Sequence, residues 1–150
     1  MKKTVIFDLD GTLALIDKRR ALATKFNGKI NWKVFFNPKN ISLDQPNIPV
    51  IEMAKTLKSS GYSIVIFSGR DSISREETIN WLKKFKVPYD VLKMRPEGSY
   101  TPDDTLKLNW LNELFPDKND IMCIFDDRDK VVKMWREQGL TCMQVNYGNF

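Results

Sequence analysis

Five short apolar runs, around Thr4 to Phe7, Ser63 to Phe67, Tyr89 to Leu92, Ile121 to Phe125 and Thr141 to Val145, are separated by stretches with helical spacing. Alternation of strand-length and helix-length patterns predicts an α/β fold. Val5 to Phe7 and Ile64 to Phe67 are continuously apolar, as strands covered by helices on both faces are. A mainly parallel central sheet in three layers is therefore expected. The chain of 150 residues fits one domain, 1–150, because a chain of that length buries roughly 70% of its unfolded surface.

The first helix is expected from about Asn47, with Pro49 early, Gly61 just past its end, and Ile51, Ala54 and Leu57 along one face. The second runs from about Ser74 to Phe85, with Ser74 and Glu77 at capping-box spacing and Ile79, Leu82 and Phe85 as its stripe. The third starts at Thr101-Pro102-Asp103-Asp104, read as a Thr-x-x-Asp cap with proline in the first helical position, and carries Leu106, Trp110 and Leu114. The fourth spans about Asp129 to Gln138 and stops at Gly139. Residues 13–46 lie between the first strand and the first crossover helix and read as a small cap or lid insertion. Their aromatics Trp32, Phe35 and Phe36 form the insertion's own core in the favoured reading and stack bases in the other.

Histidine is absent, so Ser-His-Asp triads, zincin sites and imidazole acid/base catalysis are excluded. Cys123 and Cys142 sit in apolar stretches without zinc or redox spacing and read as core thiols. No apolar run approaches the length of a membrane span. Val5-Ile6-Phe7 is too short for a signal-peptide core after the basic Met1-Lys2-Lys3, so a cytoplasmic location is expected. Lys and Arg total 24 against 19 Asp and Glu, and the net +5 gives a mild attraction to phosphate-rich partners. No Gly-x-x-x-x-Gly-Lys-[Ser/Thr] loop occurs, which excludes a P-loop kinase half within these residues.

In an open α/β sheet the ligand crevice lies beyond the carboxyl ends of the strands. Three polar groups fall there: Asp8 and Asp10, then Ser68-Gly69-Arg70, then Asp126-Asp127-Arg128. Carboxylates converging from neighbouring strands repel unless a cation neutralises them, and an all-oxygen site suits Mg²⁺. Asp8, Asp10, Asp126 and Asp127 are the candidate metal residues. Asp8 is the candidate nucleophile, forming an aspartyl-phosphate. Asp10, two residues on and pointing differently, is the candidate acid/base, with Gly11 permitting the turn. Ser68, the backbone at Gly69, and Lys107, four residues after Asp103 on one helix face, are candidate donors to a phosphoryl group. Plainer readings stand beside these: a helix cap for Asp126 and Asp127, a loop for Ser68-Gly69, a solvated lysine for Lys107, an exposed basic run for Arg19.

Taken in order, Asp8-x-Asp10-Gly11-Thr12, Ser68, Lys107 and Asp126-Asp127 resemble the four motifs of the haloacid dehalogenase superfamily. The resemblance implies that superfamily's Rossmann-like fold with a cap after the first strand, and Asp at position 10 favours a phosphatase over a dehalogenase or phosphonatase. Val5 to Ala14, Gly61 to Arg70, Asp103 to Lys107 and Ile124 to Phe150 are similar, more narrowly, to the 3′-phosphatase domains of bacteriophage polynucleotide kinase/phosphatases. That likeness implies substrate-binding roles for Arg19 (or Arg20), Arg70, Asp103, Thr12 and Gly69. It also implies Mg²⁺ as cofactor and 3′-phosphorylated DNA or RNA ends as substrate. A mononucleotidase or other small-molecule phosphatase is the alternative, and a catalytically silent nucleic-acid-binding module the third reading.

Overall fold

The computed structural model describes residues 2–150. Seven strands form, β1 (Thr4–Phe7), β2 (Ala14–Leu15), β3 (Gln45–Pro46), β4 (Ser63–Asp71), β5 (Val91–Arg95), β6 (Ile121–Asp126) and β7 (Cys142–Gln144). The helices are α1 (Asp17–Ala23), α2 (Trp32–Phe35), α3 (Ile48–Ser59), α4 (Arg75–Lys84), α5 (Asp103–Leu114) and α6 (Asp129–Glu137). Five strands make one parallel sheet in the order β5-β4-β1-β6-β7, and β2 and β3 pair antiparallel by themselves. From β1 the chain winds outward through β4 and β5, then returns to the other side of β1 for β6 and β7. The reversal opens a crevice at the carboxyl ends of the three central strands.

Alternate residues of each strand serve opposite faces. Val5, Phe7, Ile64, Ile66, Cys123 and Phe125 pack with Val50, Ile51 and Ala54 of α3 and Trp81 and Leu82 of α4. Ile6, Val65, Phe67 and Ile124 pack on the other side with Leu106, Trp110 and Leu111 of α5 and Val131, Val132 and Trp135 of α6. These two apolar layers explain the uninterrupted hydrophobic runs: every residue of β1 is buried. Phe7 and Phe125 stack with ring centroids 4.7 Å apart. On the opposite face Phe67 meets both Trp110 and Trp135. Both cysteines are buried and free, as the apolar flanks implied.

Residues 13–46 fold into β2, α1, α2, a 3₁₀ segment at Pro38–Leu43 and β3. Trp32, Phe35 and Phe36 form the aromatic cluster favoured from the sequence. Phe35 is buried within it and Trp32 is left 57% exposed.

Several boundaries differ from the sequence expectation for local reasons. Asp90 accepts from the Ile64 N–H and donates its own N–H to the Ile64 carbonyl, so the ladder of the third expected strand begins at Val91 and runs on to Arg95. The Ser74–Glu77 capping box does not form. A 3₁₀ turn at Ser72–Ser74 precedes α4, and the Ser74 hydroxyl donates to the Asp71 carbonyl instead. Pro102 is the N-cap of α5 rather than its first residue, and Thr101 spends its hydroxyl on Ser99. No helix among the described residues is long and apolar enough to cross a membrane.

Phe67 separates two buried indoles across one face of the sheet. Phe67→Ala is expected to lower the unfolding free energy by about 3–5 kcal/mol in urea titrations. A loss below about 1 kcal/mol would show that this layer closes over the cavity.

Candidate active site

The turn after β1 sets the geometry. The Asp8 N–H donates to the Phe125 carbonyl at 2.9 Å, which holds Asp8 level with the end of β6. The chain then reverses, with Gly11 N–H donating to the Ala14 carbonyl and Ala14 N–H to the Leu9 carbonyl. Gly11 has φ +83°, and a Cβ there would lie 2.1 Å from Asp127 Oδ2. Both the backbone conformation and the approach of Asp127 therefore require glycine.

Asp8, Asp126 and Asp127 converge. One carboxylate oxygen from each lies within 4.8 Å of the others, and all three residues are buried. Lys107, buried on α5, donates from Nζ to Asp8 Oδ1 at 2.8 Å and to Asp126 Oδ2 at 3.0 Å. Thr12 Oγ1 donates to Asp8 Oδ2 at 3.0 Å, and Trp135 Nε1 donates to Asp126 Oδ2 at 3.1 Å. Burial and the charge of Asp126 push the Asp8 carboxyl well above the usual range. Burial likewise pushes Asp127 up to about 6. For Lys107 burial works against the charge, but Asp126 and Asp8 more than offset it and raise its pKa. One lysine for three converging acids leaves excess negative charge in a dry place, and the donors are all oxygen. Such a set fits a hard divalent cation held by Asp8, Asp126 and Asp127.

Asp10 is not part of that cluster among the described residues. Its Oδ1 turns to Arg19 Nη2 at 2.7 Å and to Arg70 Nη2. The side chain of Asp10, expected among the metal residues, lies instead in an ion-pair network. A second acid completes it: Asp44 accepts from Arg19 Nε at 2.9 Å and from Arg70 Nη2 at 2.9 Å. Arg19 also donates to the Phe35 carbonyl, and Arg70 to Thr78 Oγ1. Arg19, Arg70 and Asp44 are essentially inaccessible. Burial opposes ionisation of Asp10, yet the two guanidiniums prevail and lower it to about 2. Burial and the nearby Asp10 charge push Asp44 upward. Asp10 is thus ionised in the free protein at neutral pH.

The remaining expected residues fall around these clusters. Arg19 is the buried arginine; Arg20 is not, and its guanidinium lies over the Phe150 ring. Ser68 is fully buried at the β4 end of the crevice, where its Oγ accepts from the Arg70 N–H. Thr12, expected to contact substrate, is fully buried and committed to Asp8, so it orients that carboxylate. A Cβ on Gly69 would lie 2.5 Å from Asp103 Oδ1, so the bare backbone there makes room for Asp103. Asp103 shares a helix with Lys107 but pairs elsewhere, with Arg95 Nη2 and, at 2.8 Å, with Arg128 Nη1.

Three contributors escaped the sequence reading, Asp44, Arg95 and Trp135, and Arg128 was placed at the crevice without a role. Arg95 was legible in principle, since it ends a strand on the same side of the sheet as Ser68. Arg128 directly follows the Asp126-Asp127 pair. Asp44 has no local signal, being one acid in an irregular segment.

The ion pairs of Asp10 have a pH signature. Its carboxylate form is favoured by the fold, so this stabilisation is present above its ordinary value of 3.8 and is lost as pH falls through about 2. Asp10→Asn is expected to cost about 2 kcal/mol at pH 5, with the gap to wild type narrowing toward pH 2 in urea titrations. A gap independent of pH would contradict the ion-pair account.

The chain matches the family described as polynucleotide kinase PNKP phosphatase domain over residues 2–150. A protein of Autographa californica nuclear polyhedrosis virus, whose name describes a bifunctional polynucleotide kinase/RNA ligase, is 33% identical over 138 residues, covering 90% of this chain and 18% of its own length. Chains in two structures of the Pnkp1/Rnl/Hen1 RNA repair complex superpose with TM-scores of 0.81 and 0.82 at 36% and 37% identity. This chain is covered completely in both, and spans 48% and 44% of those longer chains. A haloacid dehalogenase-like hydrolase from Streptococcus pneumoniae shares the fold alone, with TM-score 0.69 at 15% identity over 95% of this chain and 84% of its own. With its carboxylate turn, its buried lysine and its parallel sheet, the chain belongs to the polynucleotide kinase PNKP phosphatase-domain family and is a haloacid dehalogenase-type phosphatase.

Proposed function

We propose that this chain removes the 3′-phosphate from a DNA or RNA end, with Asp8 as nucleophile and Mg²⁺ held by Asp8, Asp126 and Asp127. The observation that carries the reading is the buried cluster of three carboxylates, two of them bridged by Lys107, set beside two buried arginines. The family match and the relatives from an RNA repair complex support the choice of a polynucleotide end over other phosphomonoesters.

When bound, Mg²⁺ neutralises the acids and draws charge from the phosphoryl oxygens. Thr12 and Lys107 hold the two oxygens of Asp8, which fixes the direction of attack on phosphorus. Lys107, the Ser68 hydroxyl and backbone N–H groups at the end of β4 face the charge that builds on the transferring group. Attack by Asp8 gives an aspartyl-phosphate and releases the terminal 3′-hydroxyl; water then cleaves the acyl phosphate and frees Asp8.

Asp10 handles the protons. In the free protein it is ionised by Arg19 and Arg70, the state that accepts a proton from water in the second half-reaction. A phosphate dianion arriving next to it raises its pKa by like-charge repulsion. That prepares a protonated Asp10 for the leaving oxygen in the first half-reaction. Substrate arrival thus favours protonation of Asp10, while Arg19 and Arg70 return it to the carboxylate once the phosphate has left.

The test is a panel under Mg²⁺ comparing 3′-phosphorylated oligonucleotides, 5′-phosphorylated oligonucleotides, free nucleotides and sugar phosphates. The 3′-phosphorylated oligonucleotide is expected to have the highest kcat/KM, and EDTA to abolish turnover until Mg²⁺ is restored. Asp8→Asn is expected to lower kcat by more than about 10³-fold. Efficient hydrolysis of free nucleotides with none of the oligonucleotide would overturn the substrate assignment. Full activity in Asp8→Asn would overturn the nucleophile.

A further inference from the structure

Arg20 stands in the last turn of α1, immediately after the buried Arg19. Among the described residues its guanidinium makes no ion pair and no hydrogen bond; its neighbour is the Phe150 ring, with the guanidinium carbon 4.3 Å from the ring centroid. Arg128 approaches the same ring, at 5.6 Å, and donates from Nε to the Phe150 carbonyl at 2.8 Å. Two cations from opposite sides of the crevice therefore meet one half-exposed aromatic ring. Arg20 belongs to the 13–46 segment, and Arg128 to the loop after β6 that carries Asp127.

The position of this ring is fixed by the site itself. Two residues earlier, Gly148 packs so closely on the Asp127 carbonyl that a Cβ there would stand 1.9 Å from it, and the Asp129 N–H donates to the Gly148 carbonyl at 2.8 Å. Phe150 thus follows by two residues a backbone contact with the loop that carries Asp127. Arg128 is partly neutralised by Asp103 at 2.8 Å, whereas Arg20 has no acid partner among the described residues. A cation over an aromatic face is attracted by the ring's quadrupole, which biases its position while leaving its N–H donors free at the edge. Those donors match a phosphate in fork geometry.

We propose that Arg20, steered by Phe150 beside Arg128, binds the internucleotide phosphate next to the terminal 3′-phosphate and so makes the site prefer a polynucleotide end to a free nucleotide. The inference rests on the function proposed above and names the residues that select its substrate. Arg19 and Arg20, adjacent in sequence, divide the work: the first turns inward to Asp10, and the second turns outward to the strand that follows. A nucleoside 3′-monophosphate lacks the second phosphate and gains nothing from Arg20.

The experiment compares wild type, Arg20→Ala, Arg20→Lys and Phe150→Leu under Mg²⁺ on a 3′-phosphorylated trinucleotide and on a nucleoside 3′-monophosphate. Arg20→Ala is expected to reduce the trinucleotide-to-nucleotide ratio of kcat/KM about tenfold, chiefly through KM. It should also flatten the dependence of log KM on log salt for the trinucleotide by about 0.7, the contribution of one phosphate contact on a single strand. Arg20→Lys keeps the charge and should restore the salt slope. Phe150→Leu should reduce the ratio while retaining the slope. Equal losses on both substrates, or an unchanged ratio in Arg20→Ala, would overturn the inference. A wild type active on the nucleotide but not on the trinucleotide would sink the proposed function itself, so the two failures are distinguishable.

Discussion

Two buried arginines, Arg19 and Arg70, each bond to the same two carboxylates, Asp10 and Asp44, and through them three separate parts of the chain are tied together. Arg19 comes from α1, Asp44 from the end of the 13–46 segment, Arg70 from β4, and Asp10 from the turn after β1. Charges this deeply buried are tolerable only when every one is paired, because removing a partner leaves an uncompensated ion in a medium that solvates it poorly. The network is therefore a constraint on where the 13–46 segment sits. Supporting contacts reinforce it: the Phe35 carbonyl accepts from Arg19, the Arg19 guanidinium lies 4.4 Å from the Phe35 ring centroid, and the Trp81 indole donates to the Asp44 carbonyl.

The carboxylate cluster beside it obeys the opposite logic. Asp8, Asp126 and Asp127 have only Lys107 between them, and burial drives Asp8 and Asp127 toward their protonated forms. One site is closed and electrically balanced; the other is open in charge and suited to a cation and a phosphate. The boundary between them runs through two residues, since Asp8 faces Lys107 and Asp10 faces the arginines. Alternation along an extended strand would put residues 8 and 10 on one face; the turn that starts at Leu9 and reverses at Gly11 is what separates them. The different surroundings of Asp8 and Asp10, two residues apart, thus have a steric origin in that turn.

The parallel sheet was legible because continuous apolar runs such as Val5 to Phe7 can only be buried on both faces, and the strand ends were legible because each run stops at an unexpected polar group. Arg95 fell outside the reading because the Asp90 side chain shifts the start of β5 and carries the strand three residues further than its apolar run. The caps of α4 and α5 were misread because Ser74 and Thr101 had nearer partners than the helix N–H groups. Local pattern rules assign a side chain to its own helix. They do not register a competing partner in the two or three residues before the helix.

Sequence alone determined the chemistry available to this chain: acids at the ends of neighbouring strands, a lysine on a following helix, and no imidazole or free surface thiol to do the work another way. Those are consequences of residue type and spacing, and the sheet's period carries them to one edge. Tertiary structure decided which acid pairs with what. Asp10 is separated from the metal-type cluster because Arg19 and Arg70 reach it, and Arg19 rather than Arg20 does so because the turn of α1 points one guanidinium inward and the next toward Phe150. Asp44 gains its place only by burial against residues 25 and 26 positions away in the chain. Charge pairing in a dry interior depends on distances of a few ångströms between remote segments, and spacing along the chain does not encode them.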